Sequence, residues 1–558
     1  MLNWIVSRIK SADSDHPLGS EKGISAYLAQ VPVLNPQSTL QDIGHWFATP
    51  EQLAEDLSPE NMARAVERLD EFAQDAIRRC WSGYFTENLQ DYLSDLALRP
   101  LENYYRHTFL AIRHTLARLT GPGRKEADRD QLTRLAIRAM HALVQGKKIS
   151  HFAYRGPDAE WWRTCHELLF FARNLNILHT KQAIYPEDEQ QTSVWREYLV
   201  GVLFEVAPLS NLSPPSMEAL DCIVRWMEAH CLFIDTFTSQ TPFRINLEAT
   251  DGPQRCAPDQ ETGPTWRYFG PGPGTSKLIH LRASIQSKRE IPEWLQGTQC
   301  SAKTCIDLLH LLIQHWSLTP PSRQQERQRL DRPIVVVSGL ATARRAIAAS
   351  EFARSGRTLD YKGHVRILDL HRTEGGARPA EAPPPPKTPM ETLEQLESTG
   401  IRPVLDEWEA LDISASGLGA RLPFRRPWQA IGALVAYRFT DEIDWRVALI
   451  RRLGRSQGRP NAGLTIFDGL PYCAQIQLPK QGEECPWEEQ IPETSGLGLL
   501  DAILVSRETR LLLAPPGTFA MDQRADLIVG GQRRPVRLAG LQEAGADYEL
   551  ILFRENEA

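Results

Sequence analysis

Apolar residues recur every three or four positions through roughly the first half of the chain and every second position through much of the last third, which separates a helical region from a β-rich one. The clearest helix covers residues 57 to 79, LSPENMARAVERLDEFAQDAIRR. Ser58 stands where a cap accepts unpaired amide hydrogens and Pro59 where a missing N–H costs nothing, while Met62, Val66, Leu69, Phe72 and Ile77 line one side. The same spacing predicts helices near 88 to 118, 129 to 146, 158 to 176, 194 to 206 and 213 to 231. Short polar interruptions turn these segments back on one another, which favours a bundle or stacked helical hairpins.

Between 249 and 275 glycine, proline and aspartate dominate, ending in FGPGPGTSK. The spacing G-x-x-x-x-G-K-[S/T] is missing, so the stretch reads as a loop or domain boundary and not as a phosphate cradle. An amphipathic helix follows from Cys305 to Trp316. IVVVSGL, residues 334 to 340, has the β-branched density of a buried strand, and ATARRAIAASEFA after it reads as helix. Pro383 to Pro386 then forbid helix and central-strand geometry and predict an extended linker. From 404 to 469 short strands crowd together, WEALDIS, IGALVAYRF, WRVALIRRLG and NAGLTIFDG, with SASGLG as a turn or bulge. RLLLA, ADLIVGG, PVRLAGL and YELILF make a last β-rich stretch that completes a barrel or forms an accessory sheet.

Composition narrows the function classes. A chain of 558 residues exceeds the size of one hydrophobic core, and 42% hydrophobic with 24% charged residues is globular composition. The formal charge of −7 argues against DNA or RNA as a partner. Nine cysteines scattered over the chain suit reduced thiols and a cytoplasmic location. No run approaches the roughly 20 apolar residues of a membrane span, so an integral membrane segment is not expected; Trp4, Ile5 and Ile9 allow at most a short amphipathic docking helix. Cys300, Cys305, His310 and His315 lack the short paired spacing of a zinc knuckle, and Phe170 interrupts any H-E-x-x-H motif starting at His166. No metal is expected. His107, His114, His141 and His166 read as packed or surface histidines, and adjacency does not make a catalytic dyad of Cys165 and His166.

The chemistry concentrates in VLDEWEALDISASGLGARLP. Asp412-Ile413-Ser414-Ala415-Ser416-Gly417 has the form D-x-S-x-x-G, with the two polar side chains two apart on one strand face and a glycine at the turn. Together with the strands that follow, this segment resembles the PilZ family, whose β-barrel binds cyclic di-GMP. The resemblance implies that Asp412 and Ser414 approach guanine or a linking phosphate while Gly417 shapes the bend. The family's second signature, R-x-x-x-R in an arm before the barrel, is matched by Arg323 and Arg327, whose guanidinium groups stay charged and donate several hydrogen bonds. This pair stands far upstream, 85 residues separating Arg327 from Asp412, with a helix and the proline tract between. Arg402 lies closer, but Arg402 to Asp406 does not give the paired pattern. Arg451 and Arg452 read as surface charge or a phosphate-facing edge; alternation keeps both from pointing inward.

The expected fold is multidomain: an all-α N-terminal region followed by a PilZ-like antiparallel β-barrel with a helical and proline-rich insertion. Its parts are a helical scaffold over 1–248, a boundary region with a terminal helix over 249–315, the PilZ-like domain over 316–480 with insertion 341–400, and a β-rich extension over 481–558. The expected function is a cyclic-di-GMP receptor, the nucleotide acting as regulatory ligand and not as cofactor, that signals to its helical region or to an unidentified protein partner. The alternative is an interaction scaffold with a degenerate domain that no longer binds nucleotide. No catalytic constellation is apparent, so an enzyme is not expected.

Overall fold

Ser58 Oγ accepts the amide hydrogen of Asn61 at 3.3 Å, and from this cap the chain runs as helix from Pro59 to Thr86 with Met62, Val66, Leu69 and Ile77 buried and Phe72 half-buried. The structure, a computed structural model, describes residues 16–86, 94–121, 128–156, 159–257, 262–321, 326–355, 405–456, 458–478, 499–506 and 508–555. The proline tract and Arg402 lie outside the described residues. The chain divides into two units, Met1–Ser322 and Arg323–Ala558.

The described residues of the first unit begin with the helices α1 (Glu21–Leu28), α2 (Pro36–Ala48), α3 (Pro50–Asp56), α4 (Pro59–Thr86), α5 (Ser94–Leu119), α6 (Arg129–Phe152), α7 (Ala159–Asn174), α8 (Val194–Glu205) and α9 (Pro214–Met227). A two-residue hairpin, β1 (Gln182–Ala183) with β2 (Gln191–Thr192), interrupts them after α7. α6 is buried nearly all round, charged residues included, so each buried charge needs a counter-charge. Lys148 Nζ lies 2.8 Å from Asp221 and 2.9 Å from Glu218, and Lys147 Nζ 2.8 Å from Glu205. Glu197 is held by Arg225 at 3.0 Å and by His141 Nδ1 at 3.0 Å. Burial alone would raise its pKa, but Arg225, His141 and Thr192 overcome that and bring it down to about 2.

After α9 the chain forms a four-stranded antiparallel sheet of β3 (Leu232–Ile234), β4 (Phe243–Asn246), β5 (Gln254–Arg255) and β6 (Trp266–Gly270), in the order β3-β6-β4-β5. α10 (Gly274–Lys288), α11 (Glu293–Gln296) and α12 (Ala302–His315) follow. The FGPGPGTSK stretch is therefore a tight strand-to-helix joint, where the composition predicts a loop or domain boundary. Gly272 sits at φ +48, and a Cβ there would come within 2.6 Å of Leu232 Cγ. The amides of Gly274, Thr275 and Ser276 donate to Pro271, Gly272 and Pro273 carbonyls, which leaves these donors spent within the turn.

Among its described residues the second unit contains two closed antiparallel barrels and one helix. The first barrel uses β7 (Gln328–Ser338), β8 (Asp406–Ser414), β9 (Gly417–Arg421), β10 (Leu434–Phe439), β11 (Arg446–Ser456) and β12 (Arg459–Ile466). The second uses β13 (Tyr472–Gln477), β14 (Leu499–Ser506), β15 (Leu511–Ala514), β16 (Arg524–Val529), β17 (Gln532–Ala544) and β18 (Glu549–Glu555). Tyr472–Gln477 falls inside the 316–480 span and pairs in the second barrel. Numbered one to six in chain order, the strands of both barrels neighbour one another in the circular order 1-2-3-6-5-4, so the two share one topology.

α13 (Leu340–Ser355), the described part of the 341–400 insertion, lies between them. Its Leu340, Ala343, Ala346 and Ile347 share one core with Val335, Val337 and Leu434 of the first barrel and Ile503, Val505 and Leu513 of the second. β10 is buried along its whole length because one face fills the lumen and the other meets this core. Asp547, on the second barrel, accepts the Leu340 amide hydrogen at 2.6 Å and caps α13, whose preceding Gly339 has φ +84.

Two measurements check these assignments. Asp547→Ala should lower the stability of the β-rich unit by about 1 kcal/mol in urea unfolding, the usual loss for a removed helix cap. Glu197 has a depressed folded pKa, so its stabilising contribution is complete above its ordinary value of 4.5 and disappears as pH falls towards 2. The stability difference between wild type and Glu197→Gln, followed by chemical denaturation, should therefore shrink across that window.

Candidate functional site

The candidate site is built by strand register on the outer face of the first barrel. Along β8 and β9, Ala410 and Leu418 are buried in the lumen, and a register shift between Ala410 and Asp412 brings Asp412, with its partner Gly419, to the outer face. Asp412 pairs with Gly419 and Ser414 with Gly417. On the other side of β8, Arg329 is the partner of Asp412, and just before β7 the Arg327 guanidinium bonds the Asp412 carboxylate. Direct pairing of β7 with β8 thus removes the 85-residue separation. Arg323 lies outside the described residues.

Continuing round the barrel, Gly419 pairs with Gly463 of β12, and Gly463 with Arg452 of β11. One lateral row therefore reads Arg329, Asp412, Gly419, Gly463, Arg452 across five strands. Gly417, Gly419 and Gly463 form a floor that carries no side chains of its own, and Ser414, Arg327, Asp412 and Arg452 lie close over it, with Gly417 and Gly419 buried beneath them. The Arg327–Asp412 pair stands on one side of it. On the other, the Arg452 stem crosses Gly463 so closely that a Cβ there would be 3.1 Å from Arg452 Cβ.

The glycines do different work. Gly417 lies in the strand; a Cβ there would meet Leu464 O and Ser414 Oγ at 3.4 Å and Arg327 Nη2 at 3.5 Å, which are ordinary contacts that fill the space between those groups. Gly419 is the sterically demanded one, since a Cβ would stand 2.6 Å from Asp412 Oδ1. Ser414 Oγ reaches Gly417 O at 3.4 Å, a weak bond that leaves the hydroxyl available. Gly463 and Arg452 escape a sequence motif because they join the row only through register. The one available signal was that alternation keeps two adjacent arginines from sharing a face.

Other candidates disperse. His166 sits between Tyr198 Oη and Ala249 O, both at 3.1 Å, and His141 serves Glu197. Cys305 is buried, whereas His310 is exposed beside Arg282 at 3.0 Å, so the cysteine and histidine do not converge. No cluster of three metal-ligating side chains occurs among the described residues. A cleft of about 820 Å³ in the helical unit is electrostatically balanced: Arg68 faces Glu71, Arg79 faces Asp75 and Arg78 faces Glu187. Among the described residues no helix is long and apolar enough to cross a membrane.

The Gly419 contact predicts a selective defect. Gly419→Ala should push the short Asp412 side chain aside and separate it from Arg327 while the barrel persists, since only a side-chain end has to move. A crystal structure of the variant would show Asp412 in a new rotamer, with a thermal midpoint within a few degrees of wild type, as for changes of roughly 1 kcal/mol or less.

Residues 22–235 match the family model described as the cyclic-di-GMP receptor FimW, N-terminal domain. The match falls within the helical unit and leaves the two barrels outside it. No curated protein matches the chain.

Proposed function

We propose that the protein is a cyclic-di-GMP-binding regulatory receptor, that its first barrel is a PilZ-like domain, and that the nucleotide lies on the glycine floor beside Arg327, Asp412, Ser414 and Gly417. The observation that carries the receptor function is the match of residues 22–235 to the N-terminal domain of a cyclic-di-GMP receptor. What supports the site is the meeting of Arg327 with Asp412, Ser414 and Gly417 on one outer face although 85 residues of sequence separate Arg327 from Asp412.

The chemistry is complementary to a cyclic dinucleotide. A guanidinium donates in a fixed fork to phosphate oxygens and also lies flat against a purine. The Asp412 carboxylate accepts from the N–H edge of guanine, and the Ser414 hydroxyl can donate or accept. The missing side chains at Gly417 and Gly419 let Arg327 and Asp412 lie close to the sheet, where both can face the ligand. Arg323, four residues before Arg327, adds a second cation to the arm. No bond in the ligand has to break, so binding alone is the output. Occupancy is passed to the helical unit or to a protein partner through whatever contact differs between free and bound states. Free cysteines such as Cys165 and Cys222 suit action in the reducing cytoplasm.

Isothermal titration of the folded full-length protein with cyclic di-GMP tests this reading. Wild type should bind, and Arg327→Ala and Asp412→Ala should each weaken binding about 10-fold or more, the range for losing a charge-assisted hydrogen bond. Folded wild type that takes up no cyclic di-GMP would overturn the receptor reading and favour an interaction scaffold.

A further inference from the structure

We infer that Arg452 is the far wall of the nucleotide site and that Glu543, from the second barrel, positions it through a bulge in β11. This rests on the reading that cyclic di-GMP occupies the glycine floor. It gives the second barrel a part in building a site that lies on the first.

The bulge is visible in the register. Ile450 pairs with Leu464 and Arg452 pairs with Gly463, so Arg451 is an extra residue with no ladder partner on β12. Ile450 and Leu464 both point into the lumen and are fully or nearly buried. Without the extra residue, strict alternation would set Arg451 opposite Gly463 and turn Arg452 inward among apolar side chains. With it, Leu453 is the residue that turns inward, 2% exposed, and Arg452 emerges over Gly463 in the row that begins at Arg329 and Asp412.

Arg451 leaves the ladder for a specific partner. Its two terminal nitrogens bind the two carboxylate oxygens of Glu543 on β17, Nη1 to Oε1 at 2.7 Å, a bidentate pair. Glu543 itself follows a bulge, because β17 slips register between Leu541 and Glu543. The Tyr548 hydroxyl lies 3.0 Å from Glu543 Oε1 and 2.9 Å from Gly432 O. Gly432 donates its amide hydrogen to Ile450 O at 2.7 Å, immediately before the bulge. The loop of contacts Ile450, Gly432, Tyr548, Glu543, Arg451 closes on itself and fixes the extra residue. Fixing Arg451 fixes the phase of the strand, and the phase decides where Arg452 points.

The site has use for this cation. Arg327 and Asp412 occupy one edge of the floor, and a cyclic dinucleotide brings two phosphates. Three strand spacings separate β8 from β11 across β9 and β12, about 14 Å at ~4.8 Å each, the scale of a ligand with two nucleotide units. An arginine at the opposite edge can meet a second phosphate or lie on a second base. Arg452 would touch the ligand; Glu543 would act only through Arg451, as a positioning residue.

A double-mutant cycle on the full-length protein, read by isothermal titration with cyclic di-GMP, tests both roles. Arg452→Ala should weaken binding about 10-fold, with Arg452→Lys recovering part of the loss. Glu543→Gln should weaken it about 3- to 5-fold when Arg452 is present and have no further effect beside Arg452→Ala, because the side chain it aims is then gone. A general loss of packing would lower affinity equally in both backgrounds and would overturn the positioning role. Tyr548→Phe removes only a hydroxyl and should show the same non-additivity should Glu543→Gln fold poorly. Wild-type affinity in Arg452→Ala alongside a weakened Arg327→Ala would sink this inference and leave the site assignment standing. No binding by wild type would remove both.

Discussion

Helix α13 holds the β-rich unit together because it presents apolar residues to two barrels at once. A barrel has no free sheet edge, so two barrels can be joined only through their outer faces, and those faces are normally polar. Here β10 of the first and β14 and β15 of the second carry apolar residues outward as well as inward, and Leu340, Ala343, Ala346 and Ile347 fill the space between them. The helix is capped from the second barrel by Asp547. Its start is therefore defined by a residue more than two hundred positions away in sequence, and the position of the second barrel relative to the first follows from that cap together with the Arg451–Glu543 pair.

The shared topology of the barrels makes their difference informative. In the first, the hairpin between the second and third strands carries Asp412, Ser414 and Gly417 on a polar, part-exposed outer face. In the second, the corresponding hairpin of β14 and β15 turns Ile503, Val505 and Leu513 outward into the core shared with α13. One architecture thus yields a polar face in one copy and a buried apolar joint in the other, the outcome depending on whether the outward positions of the same hairpin are polar and small or branched and apolar.

The local elements were legible in the sequence. Ser58 and Pro59 mark a helix start because capping is chemistry between neighbours, and the D-x-S-x-x-G stretch is visible because hairpin and side chains lie within six residues. IVVVSGL reads as a buried strand for the same reason. What could not be read depends on register over long distances. Gly463 and Arg452 belong to the site because β12 pairs with β9 and β11 with β12, and a single bulge at Arg451 shifts the phase by one residue. Adjacent arginines in a string of letters look equivalent, yet Arg451 grips Glu543 and Arg452 crosses Gly463. The strand-to-helix joint at Gly272 was hidden by its prolines, which read as a loop by composition while the φ and close packing of one glycine make a sharp structural corner. In the helical unit, buried Lys147 and Lys148 fit no amphipathic pattern, because their partners arrive from other helices.

Because both barrels are segments of one chain, their apposition through α13 does not depend on protein concentration. Two separate barrels meeting through faces of this kind would dissociate on dilution, and any site that drew a supporting contact from its neighbour would weaken as the protein became scarce. Covalent continuity turns that association into an intramolecular event. A few molecules per cell would then assemble the pair as completely as many, and the response would be set by the amount of ligand and not by the amount of receptor.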